Sequence, residues 1–179
     1  MDDILRGHPA KGYRACVGIA LFSRAGGVFL GKRATKGVMP AYSWQMPQGG
    51  IDPGEAALAA AYRELYEETG IRSIERLGEV RGWLHYDLPT DVATWRGRYR
   101  GQAQRWFAFR FTGNDSEINV LTPPDGHSAE FAEWRWAELS EAAELVVPFK
   151  RGVYEHVAGA FEAFAHSESG LRPSQAGAI

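Results

Sequence analysis

Glu64, Glu67 and Glu68 constrain this chain more than any other group of residues. They fall in a segment that reads as a helix. Asp52 reads as its N-cap, Pro53 as its first helical residue and Glu55 as the acid three places after the cap, and Gly70 is placed to end it. Leu58, Ala61, Tyr62 and Leu65 supply an apolar face at helical spacing. On such a helix positions i, i+3 and i+4 share one face, so three carboxylates crowd a single turn. Like charges at that spacing cost roughly 0.2–0.5 kcal/mol per pair in an isolated helix. A fold containing this turn has two options. It leaves the acids in open water, which the good helix propensity of Glu allows, or it offers their oxygens to a hard divalent cation that keeps water for a phosphate ligand.

The remaining composition narrows the setting. The chain has 179 residues, of which 45% are hydrophobic and 23% charged. That length buries a core without disulfides or a structural metal and fits one domain. Cys16 is the single cysteine, which excludes intrachain disulfides and cysteine-rich zinc sites. Its place beside an apolar run reads as core rather than nucleophile. The five histidines show no zinc-ligand spacing. No apolar run approaches the ~20 residues that span a bilayer. Residues 1–15 lack the apolar stretch of a secretion signal, so a cytoplasmic location is expected. The net charge of −2 points to no partner, whereas 16 arginines against 4 lysines favour forked contacts to phosphate. Genomic composition is the plain alternative.

Residues 17–22 (VGIALF) read as a buried strand, with 28–30 as its partner across a turn at Gly26 and Gly27. Residues 43–47 read as a short strand, and 77–86, 104–111 and 131–136 as longer ones. Loops are expected over 34–42, 48–54 and 87–103, and a second long helix over 148–165, opening on Pro148. Strands mixed with two helices predict an α/β/α layered domain. The expected organisation is a flexible lead-in over 1–12, the domain over 13–165 and a disordered tail over 166–179, where Ser, Gly, Pro and Ala dominate.

The segment from Gly49 to Ile71 reads GGIDPGEAALAAAYRELYEETGI. Gly49, Glu55, Arg63, Glu64, Leu65, Glu67, Glu68, Gly70 and Ile71 match the Nudix box, G-x5-E-x7-R-E-U-x-E-E-x-G-U with U aliphatic, at every defined position. A chance match is on the order of one in a billion or rarer per start position at ordinary residue usage. Further segments resemble the bacterial RNA 5′-pyrophosphohydrolase branch of that family, also called dinucleoside polyphosphate hydrolase. They include YRACVGI from Tyr13, WQMPQGGIDPGE from Trp44, WLHYDLP from Trp83, QRWFAFRF from Gln104, EFAEWRW from Glu130 and VPFKRGVY from Val147. The similarity runs from about Tyr13 to Phe161. The loop over 34–42 is longer than in some members of the branch, and the polar tail after Ala165 is a second departure.

The resemblance implies an α/β Nudix fold, an α/β/α sandwich around a mixed β-sheet. It implies Mg²⁺, with Mn²⁺ able to substitute, held by Glu64, Glu67 and Glu68 and by Glu130 from beyond the box. One of these acids also serves as general base, Glu67 first and Glu64 close behind. Sequence does not separate the two, because a ligand and a base compete for the same lone pairs. Arg14, Arg33 and Lys150 match positions around the 5′-phosphates. Phe149, beside Lys150, suits stacking on a base, since single-stranded RNA recognition relies on aromatic stacking, but equally suits a core aromatic at a helix start. Tyr86 and Gln104 are weaker substrate-binding candidates. Gly49, Glu55, Arg63 and Gly70 are expected to be structural, with Glu55 and Arg63 pairing to tie the loop to the helix.

In residues 95–105 (WRGRYRGQAQR), Arg96, Arg98, Arg100 and Arg105 interleave with Trp95 and Tyr99, and no acid intervenes. Such a segment is either solvated basic surface or a path for single-stranded RNA beyond its first nucleotide. The resulting expectation is a metal-dependent hydrolase that removes pyrophosphate from the 5′ end of triphosphorylated RNA. The alternative is asymmetric hydrolysis of dinucleoside polyphosphates such as diadenosine tetraphosphate. A non-catalytic Nudix-fold module that binds nucleotide or RNA comes third, because a binder has no use for a like-charge cluster. Neither a membrane nor DNA is expected as partner, and a stimulatory protein partner is compatible with the sequence.

Overall fold

Two apolar strands lie side by side and parallel at the centre of the computed structural model, which describes residues 9–34, 40–89 and 98–166. They are β1 (Tyr13–Phe22) and β7 (Gly101–Phe111), paired from Tyr13 opposite Gly101 to Phe22 opposite Arg110. Every residue of β1 from Cys16 to Phe22 is buried, as expected of a parallel pair covered on both faces. A parallel pair also needs a long crossover. Here the crossover contains β2 (Val28–Arg33), β3 (Trp44–Gln45), β4 (Gln48–Gly50), α1 (Ala57–Thr69), β5 (Ile74–Glu79) and β6 (Leu84–Asp87).

These strands build one mixed eight-stranded sheet with β8 (Phe131–Ala137). β2 turns back beside β1 at a turn where Ser23 N–H donates to Gly27 O at 2.8 Å. β8 runs antiparallel to β2 along its length, β4 pairs the start of β1, and β5 and β6 share the far edge of β7. Alternation along the central strands sends side chains to opposite faces. Val17, Ile19, Leu21, Phe107 and Phe109 pack on Ala60, Ala61 and Leu65 of α1. Ala20, Phe22, Trp106 and Ala108 pack on Val153, Tyr154, Val157 and Phe161 of a second long helix, while a short α2 (Ala142–Leu145) precedes it. That long helix is α3 (Arg151–Phe161). The α/β/α sandwich and the mixed sheet are both present.

Several boundaries differ from the sequence reading. α1 starts at Ala57, with Ala56 at the N-cap and no side-chain cap, rather than at Asp52 and Pro53. Gly54 at φ +81° closes a separate turn in which Glu55 N–H donates to Asp52 O at 3.0 Å and Asp52 N–H donates to Glu55 Oε2 at 3.0 Å. The capping pair thus exists, but it closes a turn ahead of the helix. Gly70 ends α1 at φ +75° as expected. Residues 77–86 are split between β5 and β6 because Gly82, at φ +84°, turns the chain. The first residues of the expected 48–54 loop are strand β4. The helix expected over 148–165 is a 3-10 turn (Pro148–Lys150), then α3, then a second 3-10 turn (Glu162–Ala165). The lead-in over 1–8, loop residues 35–39 and the tail from 167 onward lie outside the described residues. Among the described residues, no helix is long and apolar enough to cross a membrane.

The packing of Trp106 ties the α3 side together. It is fully buried, donates from Nε1 to Gln104 Oε1 at 3.0 Å and meets Tyr154 edge-on at 5.5 Å. The Tyr154 hydroxyl in turn accepts from Met46 N–H at 2.9 Å. Gly18 lies under the indole, and a Cβ there would stand 2.4 Å from Trp106 Cε2. Gly18→Ala is therefore expected to cost about 1–3 kcal/mol by overpacking. Thermal unfolding checks this at roughly 2–4 °C of Tm per kcal/mol for a chain of this size, and an unchanged Tm would mean that the Trp106 ring has room to move.

Candidate active site

The site begins where β4 crosses α1. A Cβ on Gly49 would stand 1.9 Å from the Glu64 carboxyl carbon, and one on Gly50 would stand 2.4 Å from Arg14 Nη2. Two glycines therefore let the backbone pass between an acid and a base that any side chain would displace. Gln48 N–H donates to Glu68 Oε2 at 3.3 Å, so the same strand reaches a second acid of the helix.

Arg63 fastens this crossing. Its Nε and Nη2 donate to Glu55 at 2.8 Å each, Nη2 also reaches Gly50 O at 2.8 Å, and Nη1 donates to Glu64 at 2.9 Å and Glu67 at 3.2 Å. The expected pairing of Glu55 with Arg63 is present as a two-pronged bond. It holds the Glu55 carboxyl below its ordinary value, and the same partners raise the Arg63 guanidinium further above its own.

A cavity of about 420 Å³ opens beside this crossing. Glu64, Glu68 and Glu130 line it, and Arg14, Arg33 and Lys150 face them, with Tyr86 and Phe149 completing the wall. Burial pushes the Glu68 carboxyl well up, and the charges of Glu130 and Glu64 push it further. Burial also raises Glu64, partly offset by Arg63. Lys150 is buried and moves the other way, to about 8, because burial and then the Arg33 charge disfavour its cation. Its Nζ donates to Gln48 Oε1 at 3.0 Å and Gln45 Oε1 at 3.3 Å. Arg33 Nε lies 3.7 Å from Glu130 and has no hydrogen-bond partner among the described residues.

Two expected site residues sit elsewhere. Glu67 is turned out of the cavity, toward Arg63 and toward His127, whose Nε2 is 3.8 Å from Glu67 Oε1. Gln104 is fully buried beneath the floor, where its Nε2 donates to Gln48 at 3.3 Å and Gln102 at 3.2 Å. It orients side chains that line the cavity rather than lining it. Sequence reasoning pointed to a backbone carbonyl near Gln48 or Gly49 but missed the Gln48 side chain, Gln45 and Gln102 in the wall and His127 beside Glu67. The alternation of Gln45 with buried Met46 was their one local signal. Within residues 95–105, Trp95 and Arg96 lie outside the described residues. Arg100 pairs with Asp87 at 2.6 Å and Arg105 with Glu79 at 3.2 Å, so acids from other strands neutralise part of this basic run.

Among the described residues, no three acid, His or Cys side chains already converge as a closed ligand shell. The donor chemistry nevertheless fits a hard divalent cation. Three carboxylates face one cavity, and Glu68 is buried against two like charges, relieved by the Gln48 N–H and then by the Lys150 charge. Such an ion offsets the burial and the like-charge repulsion that raise Glu64 and Glu68.

Lys150 gives this cavity a signature in the metal-free protein. Unfolded, its amine keeps a value near 10.5, and folded it sits near 8. Between those values the unfolded state binds more protons, so the Lys150 contribution to stability rises with pH. Buried Cys16, Tyr86 and Tyr154 are raised and act in the opposite sense at the alkaline end. Urea unfolding of wild type and Lys150→Met from pH 7.5 to 9.5 isolates the term. Wild type is expected to gain stability relative to the variant as pH rises, and parallel curves would refute the depressed amine.

Comparison with known proteins places this geometry. RNA pyrophosphohydrolase of Azorhizobium caulinodans is 61% identical over 159 residues, covering 86% of this chain and 95% of that protein. RNA pyrophosphohydrolase of Bradyrhizobium diazoefficiens is 57% identical over 157 residues, covering 86% and 94%. The Escherichia coli dihydroneopterin triphosphate pyrophosphohydrolase shares the fold, with TM-score 0.59 at 20% identity over 82% of this chain and 97% of that one. A Caenorhabditis elegans Ap4A hydrolase does so with TM-score 0.57 at 17% identity over 83% and 98%. Residues 12–157 match the NUDIX domain, and the chain belongs to the Nudix family.

Proposed function

We propose that this protein is a divalent-metal-dependent Nudix hydrolase that removes pyrophosphate from the 5′ end of triphosphorylated RNA. The observation that carries the reading is the convergence in one cavity of Glu64, Glu68 and Glu130 with Arg14, Arg33 and Lys150. The acids gather a cation, and the bases receive the charge of a phosphate chain. The relatives named RNA pyrophosphohydrolase, at 61% and 57% identity, support RNA as the substrate class. Water adds across the anhydride between the first and second phosphates, leaving a 5′-monophosphate and releasing pyrophosphate. A diphosphorylated end releases phosphate instead.

Glu64, Glu68 and Glu130 would hold Mg²⁺, or Mn²⁺ in its place, with Glu67 turning in to join them. The bound ion neutralises phosphate charge and makes water a better nucleophile. Arg14 and Arg33 offer forks to the phosphate oxygens, and Lys150 offers a point charge from a dry wall. Tyr86 and Phe149 are left for the first base. Of the two candidate general bases, the geometry supports Glu64. It faces the cavity, and burial raises its carboxyl above the ordinary value, whereas Glu67 faces Arg63 and His127.

Glu64→Gln is expected to lower kcat by about 10²–10⁴-fold at saturating Mg²⁺. Glu67→Gln is expected instead to raise the Mg²⁺ concentration needed and to recover as the ion is added. Initial rates across a Mg²⁺ titration separate these outcomes, and recovery of Glu64→Gln by excess ion would exchange the two roles. For the substrate, 5′-triphosphorylated RNA and diadenosine tetraphosphate compete at matched concentration. RNA is expected to be consumed first, and preferential loss of the dinucleotide would overturn the RNA assignment.

A further inference from the structure

β8 closes one side of the sheet. It pairs with β2 along one edge, and among the described residues no strand and no backbone hydrogen bond occupies the other. An uncovered edge is a template for a further strand, and proteins commonly blunt it with charge or a bulge. β8 carries both. Glu133 and Arg135 are exposed, and the register with β2 slips between Glu133 and Phe131, which leaves Ala132 as a bulge.

These charges select a register rather than forbid one. Two copies of the same edge meet antiparallel about a two-fold axis, each presenting the same residues to the other. An axis normal to the sheet keeps every side chain on its own face, so each permitted register is centred on a residue. Centring on Glu133 sets two carboxylates opposite each other, and centring on Arg135 sets two guanidinium groups opposite each other. Centring on Trp134 sets Glu133 opposite the partner's Arg135 and Arg135 opposite the partner's Glu133. On the other face Ala132 leaves room for the partner's Trp136. The run AEWRW thus complements itself in charge and in size.

Both charges keep capacity for a further partner. The Glu133 side chain is 59% exposed and accepts from Lys32 through one oxygen, at 2.9 Å. Arg135 lies over the Trp44 ring at 4.8 Å, and its Nη2 is 3.8 Å from Glu141, beyond hydrogen-bond distance. The strand that presents them is anchored, since Trp134 stacks on Phe29 at 5.7 Å and Trp136 meets the same ring edge-on at 6.0 Å. We propose that β8 pairs with β8 of a second copy of this chain, antiparallel and centred on Trp134, joining the two sheets. Few residues pair, so the dimer is weak and depends on concentration. Arg33 pairs with Phe131 at the start of β8 and Glu130 precedes it, so the joined edge reaches the rim of each catalytic cavity.

Sedimentation velocity on the full chain, from about 5 µM to about 500 µM, tests this without any turnover. Wild type is expected to move from the mass of one chain toward that of two. Glu133→Arg and Arg135→Glu each set like charges opposite one another twice, and each is expected to raise the dissociation constant about tenfold or more. The double swap Glu133→Arg with Arg135→Glu restores opposite charges and should return it to within about threefold of wild type. Both residues are exposed, so the Tm of each variant should stay within about 2 °C of wild type. In parallel, amide hydrogen exchange of unaltered protein should slow over residues 131–137 as concentration rises. A single-chain mass throughout leaves the edge to a different strand and overturns the proposal. A dimer indifferent to the single reversals, a double swap that restores nothing, or exchange over 131–137 that ignores concentration overturns it equally.

Discussion

Arg63 is the interaction on which the rest of the structure leans. A guanidinium offers five N–H groups in a fixed plane, and here they reach Glu55, Glu64, Glu67 and the carbonyl of Gly50. Isolated surface pairs contribute little, and Arg63 is 28% exposed, so no single bond of this set is worth much once screening is counted. The set matters because it is shared. One cation offsets the repulsion within a crowded helical turn and clamps the loop that precedes the helix. The carbonyl contact holds β4 at the distance where its glycines touch Glu64 and Arg14. An arginine does this where a lysine would not, since a point charge cannot bind a carboxylate with two prongs and still reach two more partners.

The same clamp explains which parts of the molecule were legible in the sequence. The acidic turn, Gly70 and the apolar β1 and β7 are specified by spacing a few residues wide, and the structure follows them. The start of α1 is not. Asp52, Pro53 and Glu55 carry every local sign of a helix cap, but Glu55 is drawn to Arg63 eight residues on, and Gly54 turns the chain before the helix can begin. β4 was legible only as a loop, because Gln48–Gly50 has no apolar alternation. It is a strand because β1 supplies its hydrogen bonds. Local pattern yields wherever a distant partner supplies the stronger contact.

The candidate site was legible in its charges and not in its neutral framework. Glu64, Glu68, Glu130, Arg14, Arg33 and Lys150 converge from five parts of the chain as the box and its flanking segments implied. The glutamines that hold them do not announce themselves. Gln104 takes the Trp106 N–H and passes its own amide to Gln48 and Gln102, and Gln48 accepts from Lys150. This chain connects the packed core to the charged wall through neutral groups, so no charge pattern marks it. Its consequence is order. A buried lysine without fixed acceptors would withdraw or lose its proton, and the glutamines keep Nζ pointed at the cavity.

The two walls also explain why the protein holds charges in positions that disfavour them. Glu68 is pushed toward its neutral form and Lys150 toward its own, both chiefly by burial. Their opposite signs do not cancel, because Lys150 is bonded to Gln45 and Gln48 rather than to the carboxylate. Folding thus keeps an acid and a base apart in a dry space when direct pairing would relieve both. That separation costs stability in the resting protein and acquires value when a cation and an anion arrive together. In the proposed reading a divalent ion would complete the acids, a phosphate chain would complete the bases, and each ligand would lower the cost of the other. A site in which Glu68 and Lys150 had paired directly would be more stable and would have less need of an ion and a phosphate at once. In the proposed reading, a preference for a metal-bound phosphate follows from leaving Glu68 and Lys150 unpaired with each other.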